Sequence, residues 1–242
     1  MRSLALVAAS VLVAAAAHAQ GLEKDVIPTS AGEVSVTFVG HGTLVFGYGG
    51  NTIHVDPFGK LADYATLPKA DLVLVTHAHG DHLDPAALAA TRKPATQVVV
   101  APDCEGKVEG AVVLENGQSK VFLGIEVAAV PAYNLVQKRP DGTPYHSRGR
   151  GNGYVLTFGD TRVYVAGDTE NVPEMKALER IAVAFLPMNL PYTMTPEMVA
   201  DAARAFRPRI LYPYHYGETD PARLVALLED EKGIEVRIRR MK

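Results

Sequence analysis

The sequence predicts an α/β fold, specifically an αβ/βα four-layer sandwich, on three observations. Short apolar runs recur along the chain and fall into two strand-rich halves. Helix starts marked by Asp-Pro or Thr-Pro separate the later runs, with proline at a first-turn position where its missing N–H costs nothing. Histidines and aspartates cluster where apolar runs end. Two strand-rich halves bury their apolar faces against each other and leave the helices outside. Polar groups at strand ends then gather along one edge of the sandwich, where such folds bind ligands.

The elements follow in order. Residues 34–39, 43–48 and 51–55 read as a meander of strands, the last two joined across Gly49-Gly50, a hairpin signal. Residues 72–76 form a buried strand, and Asp84-Pro85 caps a helix over 86–92. Strands follow at 97–100, 111–114, 120–123 and 125–130, then a hairpin of 154–158 with 161–166 across Gly159-Asp160. A short helix at 173–180 precedes a strand at 183–187. Thr195-Pro196 opens an amphipathic helix to Phe206, followed by a strand at 209–212. Asp220-Pro221 starts the last helix, to about Leu228, and 234–239 closes as an edge strand.

One loop carries most of the chemistry. Thr76–Asp84 reads T-H-A-H-G-D-H-L-D and packs His77, His79, Asp81 and His82 directly after the apolar run 71–75. Imidazole nitrogens and carboxylate oxygens are what divalent zinc, manganese or iron takes from proteins. His77 and His79, two apart on extended backbone, can converge on one ion. Asp81 and His82, beyond the turn that Gly80 is expected to permit, can face a second ion or a water. A solvated loop whose histidines only cap strand and helix ends is the plainer alternative, but it leaves this density of ligands to chance. Later strand ends supply further candidates: His146 in Y-H-S-R-G, Asp168 in A-G-D-T and His215 in Y-P-Y-H-Y-G. Taken singly, each also reads as a turn or hydrogen-bonding residue.

In this order and context the residues resemble the metallo-β-lactamase-fold hydrolases. The signature H-x-H-x-D-H, a later His, an Asp in G-D-T and a final His after a late strand is present as His77, His79, Asp81, His82, His146, Asp168 and His215. The resemblance runs from about Val34 to the C-terminus. It is nearest to the branch of ascorbate-phosphate lactonase-like and uncharacterised metal-dependent hydrolases, through Gly40-His41-Gly42-Thr43, Val55-Asp56-Pro57 and Pro213-Tyr214-His215-Tyr216-Gly217. Members of that branch place a His beside a P-A-[WY] turn. Here that turn reads Pro131-Ala132-Tyr133-Asn134, which leaves His146 as the candidate for the third position.

The resemblance implies a dinuclear site and a hydrolase. His77, His79 and His146 would hold one ion, Asp81, His82 and His215 the other, and Asp168 would bridge them. Two divalent ions, zinc first with manganese or iron as alternatives, would stand ~3.5–4 Å apart and generate a hydroxide near neutral pH. That hydroxide would cleave an ester, lactone, amide or phosphoester, with Asp81 as the catalytic proton shuttle. No G-x-S-x-G or P-loop offers a side-chain nucleophile instead. Two other classes stay open: an iron-dependent oxidoreductase on the same fold, and a periplasmic metal-binding protein without catalysis. His79 stands where di-iron oxygen-reducing relatives carry Glu. Asp168 stands where one major β-lactamase class carries Cys.

His41 and Asp56 read equally as turn residues or as groups orienting ligand imidazoles. The segment 132–150 carries Lys138, Arg139, Arg148 and Arg150 against one acid, Asp141, which reads either as a binding loop for an anionic small-molecule substrate or, as is commoner for a charged loop, as simply solvated. The 242 residues fit one catalytic domain, and a net charge of −3 with no basic stripe argues against nucleic acid. The single cysteine, Cys104, gives no disulfide framework. At the N-terminus, Met1-Arg2-Ser3, an apolar run over 4–17 and Ala17-His18-Ala19 predict a signal peptide over 1–19. The run falls short of the ~20 residues of a membrane span. The expected mature domain is 20–242, periplasmic or secreted, with no stable membrane anchor and an oligomeric state the sequence leaves open.

Overall fold

The structure, a computed structural model, describes residues 21–242; the expected signal peptide over 1–19 lies outside the described residues. Two mixed seven-stranded sheets pack face to face with helices outside. In the first sheet, β1 (Glu23–Thr29), β2 (Gly32–Gly40), β3 (Thr43–Tyr48) and β4 (Asn51–Val55) form an antiparallel meander. β5 (Leu72–Val75), β6 (Gln97–Val100) and β7 (Val112–Val113) then add in parallel. The second sheet repeats the plan. β8 (Ser119–Phe122), β9 (Ile125–Ala132), β10 (Gly151–Phe158) and β11 (Thr161–Val165) are antiparallel neighbours. β12 (Ile181–Pro187), β13 (Ile210–Tyr214) and β14 (Glu235–Val236) follow in parallel.

The period-two alternation of strands places the core. In β5, Leu72 and Leu74 point between the sheets, whereas Val73 and Val75 face α1 (Pro85–Thr91) with Leu88, Val98 and Val100. Phe38, Phe46, Phe158, Phe185 and Tyr212 fill the inter-sheet layer, each contributing ~1.5–3 kcal/mol of burial. On the far side lie α2 (Pro173–Lys176), α3 (Pro196–Phe206) and α4 (Ala222–Leu227). Asp84 caps α1 by accepting from the Ala86 and Ala87 amides, and Thr195 caps α3 through the Met198 amide. Cys104 is buried under α1 as a packed thiol.

The structure departs from the sequence expectation in four places. β1 was not anticipated: Glu23–Thr29 alternates charge with few apolar residues and includes Pro28, as suits an edge strand. The helix expected over 173–180 stops at Lys176, where the Leu178 amide turns back to the Met175 carbonyl at 3.1 Å; Arg180 then takes a left-handed conformation (φ 55°) before β12. The strand expected over 234–239 shrinks to Glu235–Val236, since the tail crosses to β1, where Arg239 pairs with Asp25 at 2.6 Å. Gly80 takes an ordinary φ; the turn there is closed by the His82 and Leu83 amides donating to the His79 carbonyl. At the β3–β4 hairpin, by contrast, Gly49 and Gly50 both sit at positive φ, as a primed turn needs.

Candidate metal centre

All seven residues that the sequence singled out meet in one pocket at the carboxyl ends of the parallel strands. β5 delivers His77, His79, Asp81 and His82 through the tight turn before α1. β11 delivers Asp168 and β13 delivers His215, while His146 comes from the loop between β9 and β10. Three residues around the pocket hold strained left-handed backbone: His41 (φ 50°), Asp56 (φ 46°) and His215 (φ 45°). Such strain persists where surrounding structure enforces it, commonly at functional sites.

The donor atoms form two sets. In the first, His77 Nε2 and His146 Nε2 lie 3.0 and 3.2 Å from His79 Nδ1. A tetrahedral ion with ~2.0–2.1 Å bonds to nitrogen would space its ligands ~3.3 Å apart, so a cation fits between these lone pairs. In the second, Asp81 Oδ2 lies 3.8 Å from His82 Nε2 and 3.7 Å from His215 Nε2. Asp168 spans the two. Its Oδ2 stands 3.4 Å from His146 Nε2 and 3.9 Å from His77 Nε2, and its Oδ1 stands 3.5 Å from both His82 Nε2 and His215 Nε2.

Hydrogen bonding behind the imidazoles fixes which nitrogen faces the pocket. Asp56 Oδ2 accepts from His82 Nδ1 at 2.7 Å. The same carboxylate takes the Thr76 amide and hydroxyl at 2.7 and 2.6 Å, and the Thr76 oxygen lies 3.0 Å from His77 Nδ1. Asn134 Oδ1 accepts from both the amide and Nδ1 of His146, at 2.6 and 2.9 Å. Its amide nitrogen donates to Glu170 Oε1 and to the Tyr192 carbonyl, which sets the direction of the Asn134 side chain. Each protonated Nδ1 leaves Nε2 as a free lone pair turned inward, the arrangement a metal-ligating histidine needs.

His82 Nε2, Asp168 Oδ1 and both nitrogens of His215 are buried without a hydrogen-bond partner. Orphaned atoms of this kind cost about 1–3 kcal/mol each unless a cation satisfies them. Burial drives the His77 imidazole well toward the neutral, metal-binding form and moves His79 in the same direction. Burial also pushes the Asp168 carboxyl up, but His215, His82 and His146 outweigh it and hold it ionised. The residues present thus fit a metal centre.

His41 and Asp56, which the sequence left between two roles, both reach the site. Asp56 is fully buried behind His82. His41 Nε2 lies 3.0 Å from Asp81 Oδ2, with its ring 3.7 Å from that of His215, so it joins the second donor set. Gly42 leaves room for His82: a Cβ there would stand 2.8 Å from His82 Cε1. Asn134 and Glu170 were missed. Buried Glu170 accepts the Leu135, Val136 and Gln137 amides at 2.6–2.8 Å and so pins the loop that presents Asn134. The one signal for Asn134 was its place beside the P-A-Y turn.

A sandwich of two mixed sheets with clustered His and Asp on one edge defines a metal-dependent hydrolase of the metallo-β-lactamase superfamily, and comparison with known proteins agrees. The beta-lactamase superfamily domain matches residues 35–215, and the chain belongs to that family. A UPF0173 metal-dependent hydrolase of Pelotomaculum thermopropionicum is 31% identical over 85% of this chain and 96% of its own length. A crystal structure assigned as a metal-dependent hydrolase from Parabacteroides distasonis shares 47% identity with a TM-score of 0.87, covering 92% of this chain and 100% of its own. Igni18, a metallo hydrolase of Ignicoccus hospitalis, gives 26% identity and a TM-score of 0.69, covering 85% of this chain and 94% of its own.

Proposed function

We propose that the protein uses a dinuclear centre to hydrolyse an ester, lactone, amide or phosphoester bond in a small molecule. His77, His79 and His146 bind the first ion; Asp81, His82 and His215 bind the second; Asp168 bridges. One observation carries this reading: the two oxygens of Asp168 face two separate donor sets. The donors are nitrogen and oxygen without thiolate, which suits zinc, with manganese or iron as the next choices.

When bound, the ions would supply Lewis acidity and lower the pKa of a shared water. The side chains do the rest. Asn134 and Asp56 lock the rings of His146 and His82, so the reaction needs no reorganisation of the donors. Asp81 is far more exposed than Asp168, 37% against 5%, and its Oδ2 is backed by His41. It is placed to take a proton from the attacking water and hand it to the leaving group.

The test is turnover of p-nitrophenyl acetate, a γ-lactone and bis(p-nitrophenyl) phosphate by metal-loaded and chelator-stripped protein. Hydrolysis of at least one, lost on stripping and restored by zinc or manganese, is expected. Inactivity toward all three in the loaded protein, or iron content coupled to oxygen uptake, would overturn the reading.

We further infer that the protein works in the periplasm or outside the cell, as the mature domain 20–242. The support is the Ala17-His18-Ala19 site after the apolar run over 4–17. Intact mass of the exported protein should show a chain starting at Gln20, and retention of residues 1–19 would refute this.

A further inference from the structure

The segment between β9 and β10 is a built wall of the pocket. Within it, the Arg139 amide donates to the Thr143 carbonyl at 2.7 Å and the Gly142 amide to the Arg139 carbonyl at 2.9 Å, closing a small hairpin. That hairpin presents Arg139 and Tyr145 to the metal centre. Arg139 Nη1 donates to the carbonyls of Pro144 and Tyr145 at 2.8 and 3.2 Å, and the guanidinium lies 5.2 Å over the Tyr145 ring. The head group is therefore fixed, half-buried and at the cavity surface. Among the described residues, its Nε and Nη2 make no hydrogen bond, and no carboxylate lies within ion-pair distance of it; Asp141, its nearest acid in sequence, accepts from Thr143. Arg148 differs, since Glu174 neutralises it at 2.7 Å.

Two lobes of one cavity meet at Arg139, Tyr145, His79, His146 and Asp168. The larger, about 440 Å³, extends past Asp81 and His215 to Asn189 and Tyr192. Tyr192 packs edge-on against Tyr145 at 5.0 Å, and its carbonyl is tied to Asn134 at 2.9 Å, so this aromatic side is fixed as well. The smaller, about 170 Å³, is lined by both Asp103 and Arg150, whose opposite charges offset each other there. An immobilised guanidinium with three free N–H donors, one on Nε and two on Nη2, is the arrangement that grips a planar or tetrahedral oxyanion in two-pronged fashion.

We propose that Arg139 selects substrates that carry a carboxylate or phosphate group beside the bond to be cleaved, with the intervening carbon skeleton against Tyr145 and Tyr192 in the larger lobe. This rests on the hydrolase reading of the same pocket. Arg139 is here a specificity residue; the ions and their ligands act on the bond itself.

The test compares mono(p-nitrophenyl) succinate with neutral p-nitrophenyl butyrate on wild type, Arg139→Gln and Arg139→Lys, each loaded with zinc. Wild type should favour the anionic ester at least about tenfold in kcat/KM, mainly through KM, as a charge-assisted bond implies. The Gln variant should lose that preference and the Lys variant should recover part of it. Equal losses on both esters, or no preference in wild type, would overturn the proposal. A second arm measures binding of succinate and of methylphosphonate to the loaded proteins by calorimetry. At least tenfold weaker binding in Arg139→Gln supports the proposal, and the stronger of the two ligands names the oxyanion. Equal affinity in wild type and variant would overturn it. Ester hydrolysis without an Arg139-dependent preference would sink this proposal alone. Arg139-dependent binding without turnover of these esters or of the ester, lactone and phosphodiester above would sink the hydrolysis reading and leave Arg139 only as the anion-binding residue of the pocket.

Discussion

Asp56 grips His82 from behind, with Oδ2 2.7 Å from Nδ1, while the same carboxylate holds the amide and hydroxyl of Thr76. One buried acid thus fixes a ring of the second donor set and the residue that precedes the first. In Asp56→Asn, part of this grip must be lost, because an amide cannot accept from three donors at once with both of its heavy atoms. Metal affinity should fall by roughly 10–100-fold, read by competition with a chelating dye. Wild-type affinity in a folded Asp56→Asn protein would show that His82 needs no such partner.

Gly42→Ala probes the same ring from the other side. The new Cβ would meet His82 Cε1 at 2.8 Å, and Asp56 leaves His82 nowhere to retreat. The variant should fold with unchanged far-ultraviolet dichroism yet retain only the ion of the first donor set. Full metal content would mean that the β2–β3 turn yields instead.

Glu170 makes a prediction about stability as well as the site. It accepts three backbone amides and Asn134 without solvent access. Truncation in Glu170→Ala leaves the buried Asn134 amide and the part-buried amides of residues 135–137 without their acceptor, at about 1–3 kcal/mol for a group kept from water. A domain of this size loses about 2–4 °C of Tm per kcal/mol, so calorimetry should show a drop of about 5 °C or more. Weaker binding at the first donor set should accompany it, because Asn134 orients His146. An unchanged Tm would mean that water or neighbouring groups replace Glu170.

Before metal loading, burial pulls the His82 imidazole down, but Asp168, Asp56 and Asp81 outweigh it and hold it up to about 9. Its folded value lies above the ordinary 6.5. The associated stabilisation of the metal-free protein is therefore complete below about pH 6.5 and lost as pH rises through about 9. A metal ion must displace that proton. Titrating zinc into metal-free protein should release more protons per chain at pH 7 than at pH 10, read with a pH indicator in weak buffer. Equal release at both values would place the His82 proton elsewhere.

The candidate ligands were legible because most of them lie in one short loop or at the ends of apolar strands, where residue type and position both carry information. His77 to His82 need no tertiary knowledge to be suspected. The role of Glu170 depends on contacts with residues 134–137, more than thirty positions away, and sequence spacing carries no trace of that. Asp56 and His41 lay between these cases: their strand-end positions made them candidates, and only packing decided their roles. In the fold, buried strands such as β5 and β6 were plain from continuous apolar runs. Two edge elements were less so: β1 alternates charge, and β14 is cut short where the tail crosses to β1.

Metal content per chain tests the central claim most directly, measured by mass spectrometry after zinc saturation and gel filtration of wild type and Asp168→Asn. Two ions per chain in wild type, and no more than one in the variant, is the predicted result. Saturation of wild type at a single ion, or two ions retained in Asp168→Asn, would contradict a dinuclear centre bridged by Asp168.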